Sequence, residues 1–252
     1  MSKVVFENES TSFLRIAWPQ PALAHLIAYY FEVDAASFSA PVGITGLPAV
    51  NTLIAIDLMA DKDIKLLGHL TQCVTGSYAP GSKRFYAKLN PGAFTRLFPF
   101  SPKDIQDDRV DIEPYFQGFS IDQFATLPSF RQRIDHFEDQ LINQFYPFTT
   151  GYKQQYVDLF INIFSNAQYC QPERILALCN KHHITYASLR RYFVEQTGVS
   201  PKYCQKVIRF KGALQAYRTF GYDFNYTDLG YTDFPHFCKD ARSLTGKAPL
   251  EL

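Results

Sequence analysis

The sequence has no long apolar run. No stretch of eighteen or more apolar residues occurs in its 252 positions, so a membrane span is not expected. Its opening, MSKVVFENES, carries acidic residues and no apolar centre, so it does not read as a secretory signal. Cysteine is sparse: there are five, at positions 73, 170, 179, 204 and 238, scattered and odd in number. That usage fits reduced thiols in a cytoplasmic setting better than a disulfide framework. A Gly-rich phosphate loop is also missing. GSYAPGSK (76–83) ends in Lys, but no Ser or Thr follows it and no strand-to-helix setting surrounds it.

Catalytic and metal chemistry is equally thin. CNKHH (179–183) offers Cys179, His182 and His183, yet the second pair that a zinc site needs is absent. His25, His69 and His136 accompany no Ser or Cys nucleophile signature, and Cys73 and Cys170 lie in no motif that would activate a thiolate. The chain is therefore read as a non-enzyme, with no catalytic residue, no cofactor and no metal.

Rings and apolar side chains are abundant. Hydrophobic residues make up 46% of the chain, with 23 Phe and 16 Tyr, which excludes global disorder. The length suits one large domain or two of common size. The cluster Tyr29, Tyr30, Phe31, Phe85, Tyr86, Phe94 and Phe98 reads as ordinary core, with an apolar ligand pocket as the other reading.

A net charge of +1 hides an asymmetry. Residues 152–252 hold 13 Lys plus Arg against 8 Asp plus Glu, whereas residues 1–151 hold 12 against 16. Within 174–218 nine basic residues face a single acid, Glu195. A basic segment joined to an acidic one suggests a polyanion-binding module beside something else.

The apolar spacing divides the chain in the same place. Residues 21–33 fit a helix begun by Pro21 and running into an extended end. Residues 51–60, 72–79 and 84–90 are β-like, residues 91–98 form a short helix, and 101–105 begin another turn. Phe130, Ile134, Phe137, Leu141 and Phe145 recur at steps of three and four, which predicts an amphipathic helix over 128–146. After the linker-like PFTTGYK (147–153) the pattern becomes helical throughout. Helices are expected at 152–167, at 172–183 from Pro172, at 185–198 ended by Gly198, and at 199–220 with Ser200 as N-cap and Pro201 in the first turn. A short helix around 223–229 and one at 232–246, capped by Thr232 and stopped by Gly246, complete the set.

Two of these helices share a design. In TYASLRRYFVEQTG (185–198), Tyr186, Leu189, Phe193 and Thr197 fall on one side. Ala187, Ser188, Arg191 and Glu195 fall on the other, with Arg190 at the flank. Small residues let a helix sink into the major groove, and Arg pairs there with guanine O6 and N7; a solvated face is the plainer reading. In 232–246, Phe237, Ala241 and Leu244 line one face, with Phe234 beside them, while Pro235, Lys239 and Arg242 point away. A short helix and a turn precede each. Two such helix-turn-helix units, joined by one long helix, suit successive major grooves about 34 Å apart. Lys202, Lys206 and Arg209 stripe the joining helix, as phosphate contacts or as solvated charges.

The run LRRYFVEQTGVSPKYCQKVIRFKGAL (189–214) followed by LGYTDFPHFCKDARSLTGKAPLEL (229–252) resembles the C-terminal DNA-binding domain of the AraC/XylS family of bacterial transcription regulators. The resemblance spans 154–252. It implies a cytoplasmic, sequence-specific regulator whose partner is double-stranded DNA. Ala187, Ser188, Arg190 and Arg191 match the first base- and backbone-contacting helix of the family, and Phe234, Pro235, His236, Lys239 and Arg242 the second. Base contact is expected from Ala187, Ser188, Arg190, Arg191, Pro235, His236 and Lys239, and phosphate contact from Lys202, Lys206, Arg209 and Arg242. Two features depart from the pattern: YDFNYTDLGY (222–231) is more polar and out of register, and Ala241 stands where the family has Phe. The second unit is thus expected to pack less well and to grip DNA without reading it, or not at all.

Residues 20–140 resemble, more loosely, an uncharacterised domain often found ahead of AraC-type modules, through PALAHLIAYYFEV, LPAVNTLIAIDL and KLNPGAFTRLF. The expected architecture is an α+β domain over 1–150, sensing a small-molecule effector or forming a homodimer. An all-α domain over 151–252 follows, with two helix-turn-helix units joined by a long helix. The competing reading is a small-molecule-binding or protein-interaction module whose DNA reading has weakened or been lost.

Overall fold

The structure, a computed structural model, describes residues 13–166 and 174–252. Two compact units divide it. One takes the described residues up to Gly46 with Asn51–Leu70 and Val74–Thr149; the other takes Leu47–Val50, Thr71–Cys73 and the chain from Thr150 on. The first is rich in strands and the second is helical.

The first unit contains β1 (Leu14–Ala17), β2 (Ile27–Asp34), β3 (Val42–Gly46), β4 (Leu53–Asp57), β5 (Ile64–Leu67), β6 (Val74–Tyr78), β7 (Lys83–Leu89), β8 (Arg109–Asp111), α1 (Ile121–Thr126) and α2 (Phe130–Phe145). An antiparallel sheet runs in the order β1-β2-β7-β4-β5-β8, and β3 pairs with β6 in a separate ribbon. Alternation decides which side chains go where. Phe85, Ala87 and Leu89 of β7 are fully buried on one face, and the register sets Ile54 opposite Ala87 and Ile56 opposite Phe85. Ile64 and Leu66 continue that layer. Onto it packs α2, through Ile134, Phe137 and Leu141, after Ser129 accepts the first-turn hydrogen bond from the Gln132 N–H. The opposite face carries Phe31 stacked on Tyr86 at 4.4 Å, with Leu14, Val33 and Tyr78 around them.

Residues 21–33 are not a helix. A single 3-10 turn, Pro21–Leu23, leads into β2. Its residues 27–31, IAYYF, show no alternation because β2 is covered on both faces, so the period-two signal is lost. Aromatic and β-branched residues then favour the sheet, between β1 and β7. Residues 93–96 likewise form one 3-10 turn, begun at Gly92 with φ of 77°, where a longer helix was expected.

Charged side chains are buried here as well: Glu32 and, on α2, Arg133 and Glu138, whose Oε1 accepts from the Gln20 N–H. Glu32 of β2 is fully buried, and its Oε2 accepts from Arg133 Nε of α2 at 2.6 Å. Arg15 Nη1 lies 3.0 Å and Lys83 Nζ 3.6 Å from its other oxygen. Arg133, itself buried, also donates to the Leu127 carbonyl. Sheet and helix are thus joined by a charge pair 101 residues apart in sequence.

The second unit contains α3 (Tyr152–Ser165), α4 (Arg174–Lys181), α5 (Tyr186–Thr197), α6 (Pro201–Phe220) and α7 (Phe234–Thr245). The expected start of α4 at Pro172, Cys170 and the last residues expected for α3 lie outside the described residues. Thr185 caps α5 and Ser200 caps α6; Gly198 and Gly246 take left-handed φ angles of 78° and 73° that end α5 and α7. The cap of α7 is Asp233, which accepts from the His236 N–H at 2.7 Å, and not Thr232. A charged acceptor beside the first-turn N–H groups is the stronger partner.

Two cores hold these helices. Val157, Phe160 and Phe164 of α3 meet Ile175 and Leu178 of α4 and Leu189 and Phe193 of α5. Around α7, Phe237 is ringed by Tyr217, Phe224 and Tyr231, with centroids 5.5–6.0 Å away. The expected helix at 223–229 is two 3-10 turns, Gly221–Asp223 and Thr227–Leu229. Looser packing does not follow, because Phe224 and Tyr231 supply the apolar surface and are buried.

Glu32→Ala leaves the Arg133 guanidinium buried without its carboxylate, and urea unfolding followed by circular dichroism should show a loss of about 3–5 kcal/mol. Arg133→Met added to Glu32→Ala should recover most of it. A double variant as unstable as the single one contradicts this role.

Candidate nucleic-acid interface

On α5, Leu189, Phe193 and Thr197 are buried, and the Thr197 hydroxyl donates to the Phe193 carbonyl. Tyr192 is buried as well, against the rings of Tyr152 and Tyr156 of α3. It was not among the residues that spacing singled out; a ring one residue before Phe193 was the available signal. The rest of the helix faces out: Ala187, Arg190 and Arg191 are exposed. Ser188 is half-buried and belongs to the cap, giving its N–H to Thr185 Oγ1 and accepting from that hydroxyl. Arg191 lies 5.5 Å from the Tyr192 ring centroid. Glu195, one turn on, is the natural partner for Arg191. Lys153 Nζ of α3 sits 2.6 Å from that carboxylate instead.

The basic stripe of α6 divides. Lys202 is exposed, with its ammonium 5.7 Å from the Tyr186 ring. Lys206 is half-buried, donating to Ser243 Oγ at 2.8 Å and lying 3.4 Å from Asp240 Oδ1. Arg209 is 5% exposed, and its Nη2 donates to Asp240 Oδ2 at 2.6 Å. Its guanidinium also covers the Tyr231 ring at 4.5 Å, and Tyr231 donates to the same carboxylate oxygen at 3.2 Å. Arg209 is therefore not offered to phosphate, contrary to expectation. Seven residues advance a helix by about 10 Å, which takes the stripe beneath α7. Asp240 was legible as the cause: it lies three residues after Phe237 and four before Leu244, on the buried stripe, where an acid needs a cation.

On α7, Pro235, Lys239 and Arg242 are exposed. His236 is half-buried and turned back, its Nδ1 3.3 Å from Thr232 Oγ1 and its ring against Tyr231. Phe234 is half-buried among Tyr217, Tyr222 and Tyr226, so it packs rather than reaches out. Arg190, Arg191, Lys202, Lys239 and Arg242 carry no ion pair among the described residues.

Other candidates separate from this set. Cys179 and Cys204 are buried in the α3–α5 core, and burial pushes both thiols above their ordinary range. His182 packs against Phe160, and His183 occupies the turn after α4 with φ of 51°. The ring cluster of the first unit divides between the two faces of the sheet. Tyr30, Phe85, Phe94 and Phe98 are core on the α2 side; Tyr29, Phe31 and Tyr86 lie on the other. There Lys88 Nζ donates to the Tyr29 hydroxyl at 3.0 Å and Arg84 Nε to Asp57 at 3.0 Å. Burial raises the Asp57 carboxyl, but the Met59 and Ala60 N–H groups and Arg84 hold it below its ordinary range.

No protein-family model matches the chain, and no curated protein does. Among solved structures the chain is similar to ToxT from Vibrio cholerae O395, over 95% of each chain, at 11% sequence identity and a TM-score of 0.39. So loose a superposition carries no argument. Among the described residues no helix is long and apolar enough to cross a membrane.

Arg209 and Lys202 should separate cleanly. Arg209→Ala leaves Asp240 without its main cation and should cost about 3–5 kcal/mol in thermal or urea unfolding. Lys202→Ala should stay within about 0.5 kcal/mol. Equal, small losses at both positions contradict the buried assignment of Arg209.

Proposed function

We propose that the chain is a double-stranded DNA-binding transcription regulator of the AraC type, with its DNA-binding module in the helical part. One observation carries the reading: α5 buries one side and leaves Arg190 and Arg191 exposed and unpaired beside the small Ala187. The balance of nine basic residues against one acid in 174–218 supports it, as does the resemblance of 154–252. In this reading α5 and α7 are the second helices of two helix-turn-helix units and α6 joins them. Arg191 makes the leading base contact, with Arg190, Ala187 and Ser188 beside it. Lys239, with Pro235 and His236, forms the second, weaker reading edge. Lys202 and Arg242 hold phosphates, with Lys206 reaching one only if it leaves Ser243 and Asp240. Counterion release from these cations supplies much of the affinity, and groove-edge side chains supply the selectivity.

The strand-rich unit is the effector-sensing or dimerising part of this reading. Its sheet face carries the half-buried Tyr29 with Lys88 against it, beside the buried Phe31 and Tyr86 and the Asp57-paired Arg84, and in this reading a small aromatic or anionic effector meets it there. A protein-interaction module without DNA reading is the second interpretation. The replacement of an α-helix before α7 by two 3-10 turns favours it.

Arg191→Ala should weaken binding to a preferred duplex by about 1–3 kcal/mol while leaving random DNA nearly unaffected. Lys202→Ala should weaken both alike and lower the slope of log affinity against log salt by about one. Equal losses on both duplexes for Arg191→Ala remove its base-reading role, and an unchanged slope for Lys202→Ala removes its phosphate.

A further inference from the structure

We propose that Asp240 is a positioning residue that seats α7 so that Lys239 and Arg242 are presented to a duplex. The inference rests on the DNA reading above and gives it a residue that touches no DNA.

The two outward-facing helices are held by different means. Apolar side chains of three helices hold α5, and its own acid, Glu195, is in a half-exposed pair with Lys153 that adds little. Phe237 and Leu244 bury α7, with only the methyl of Ala241 between them, and no α-helix precedes it in 221–233. To this apolar seat Asp240 adds charged, directional contacts. One oxygen receives Arg209 at 2.6 Å and Tyr231 at 3.2 Å, and the other faces Lys206 at 3.4 Å. Charge-assisted hydrogen bonds of this kind fix angle as well as distance. Lys206 reaches Ser243 one turn on, and Arg209 donates to the Gly230 carbonyl ahead of α7. The clasp therefore grips the helix and the segment leading into it.

Geometry links the clasp to the exposed cations. Lys239 stands one residue before Asp240 and Arg242 two after it. At about 100° per residue, an inward Asp240 turns both away from the core. A slip of one residue in the seating of α7 would swing them along the surface and bury one of their neighbours.

A buried ion pair is poor evidence for stability, because a well-packed apolar pair often serves as well. That separates orientation from folding. The test uses the full chain, with Arg209→Met/Asp240→Leu as background and Lys239→Ala/Arg242→Ala as the probe, read as the salt dependence of binding to a selected duplex. In the natural chain the probe should lower the salt slope by about two. In the altered background it should change the slope little, although the helical circular dichroism and the effect of Arg191→Ala persist. Asp240→Asn, which keeps the shape of the side chain, repeats the test should the apolar pair cost α7 its helix. An equal drop in both backgrounds overturns the proposal. A drop in neither also overturns it, and leaves α5 as the reading element. Failure of the natural chain to bind any duplex overturns the DNA reading itself, and the proposal with it.

Discussion

A carboxylate withdrawn from water must be met by hydrogen-bond donors or a cation, and in each unit a buried ion pair of this kind joins two elements. In the first, Glu32 sits in the apolar layer between sheet and helix, and Arg133 must come from α2 to neutralise it. In the second, Asp240 lies on the inner stripe of α7 and draws Arg209 and Lys206 from α6. Apolar burial supplies most of the stability in both. Burial is indifferent to small rotations, however, and a hydrogen-bonded charge is not.

The same constraint sorts the cations of the helical unit by use. Arg209 is spent inside, Lys206 is half engaged, and Lys153 holds Glu195 away from Arg191. On α5, α7 and the first turn of α6 the cations without an ion pair are a smaller set than composition suggests: Arg190, Arg191, Lys202, Lys239 and Arg242. A count of basic residues overstates the charge offered to a polyanion, because each buried acid removes at least one cation from the surface. The affinity of the module for DNA should accordingly follow this reduced set.

Legibility in the sequence tracks burial geometry. The helices with one solvated face, α2 and α5, were readable from spacing, since a single apolar stripe leaves a 3.6-residue period, whereas α6, buried on several sides, was readable from its Ser200–Pro201 start. Gly198, Ser200 and Gly246 mark ends that the structure keeps. β2 was not readable, because cover on both faces erases alternation and leaves a run that also fits a helix. β1, β3, β5 and β8 span only three to five residues each, too few to show any period. At the candidate interface, the exposed positions of Arg191, Lys239 and Arg242 came from helical phase alone. Arg209 was misjudged because phase describes one helix and cannot know that another crosses it a few turns on. The aromatic packing of Phe224 and Tyr231 was hidden for a related reason: rings make a core without any helical period, so a polar-looking segment concealed it.

In the proposed function the exposed side of α5 reads base edges. The most direct measurement is selection of bound duplexes from a random DNA pool by the full chain, sequenced over successive rounds. Base reading by α5 should give convergence on a short guanine-containing motif, spaced for one or two major-groove contacts. A pool that stays unenriched, or that binds only through salt-sensitive contacts without sequence preference, would contradict it.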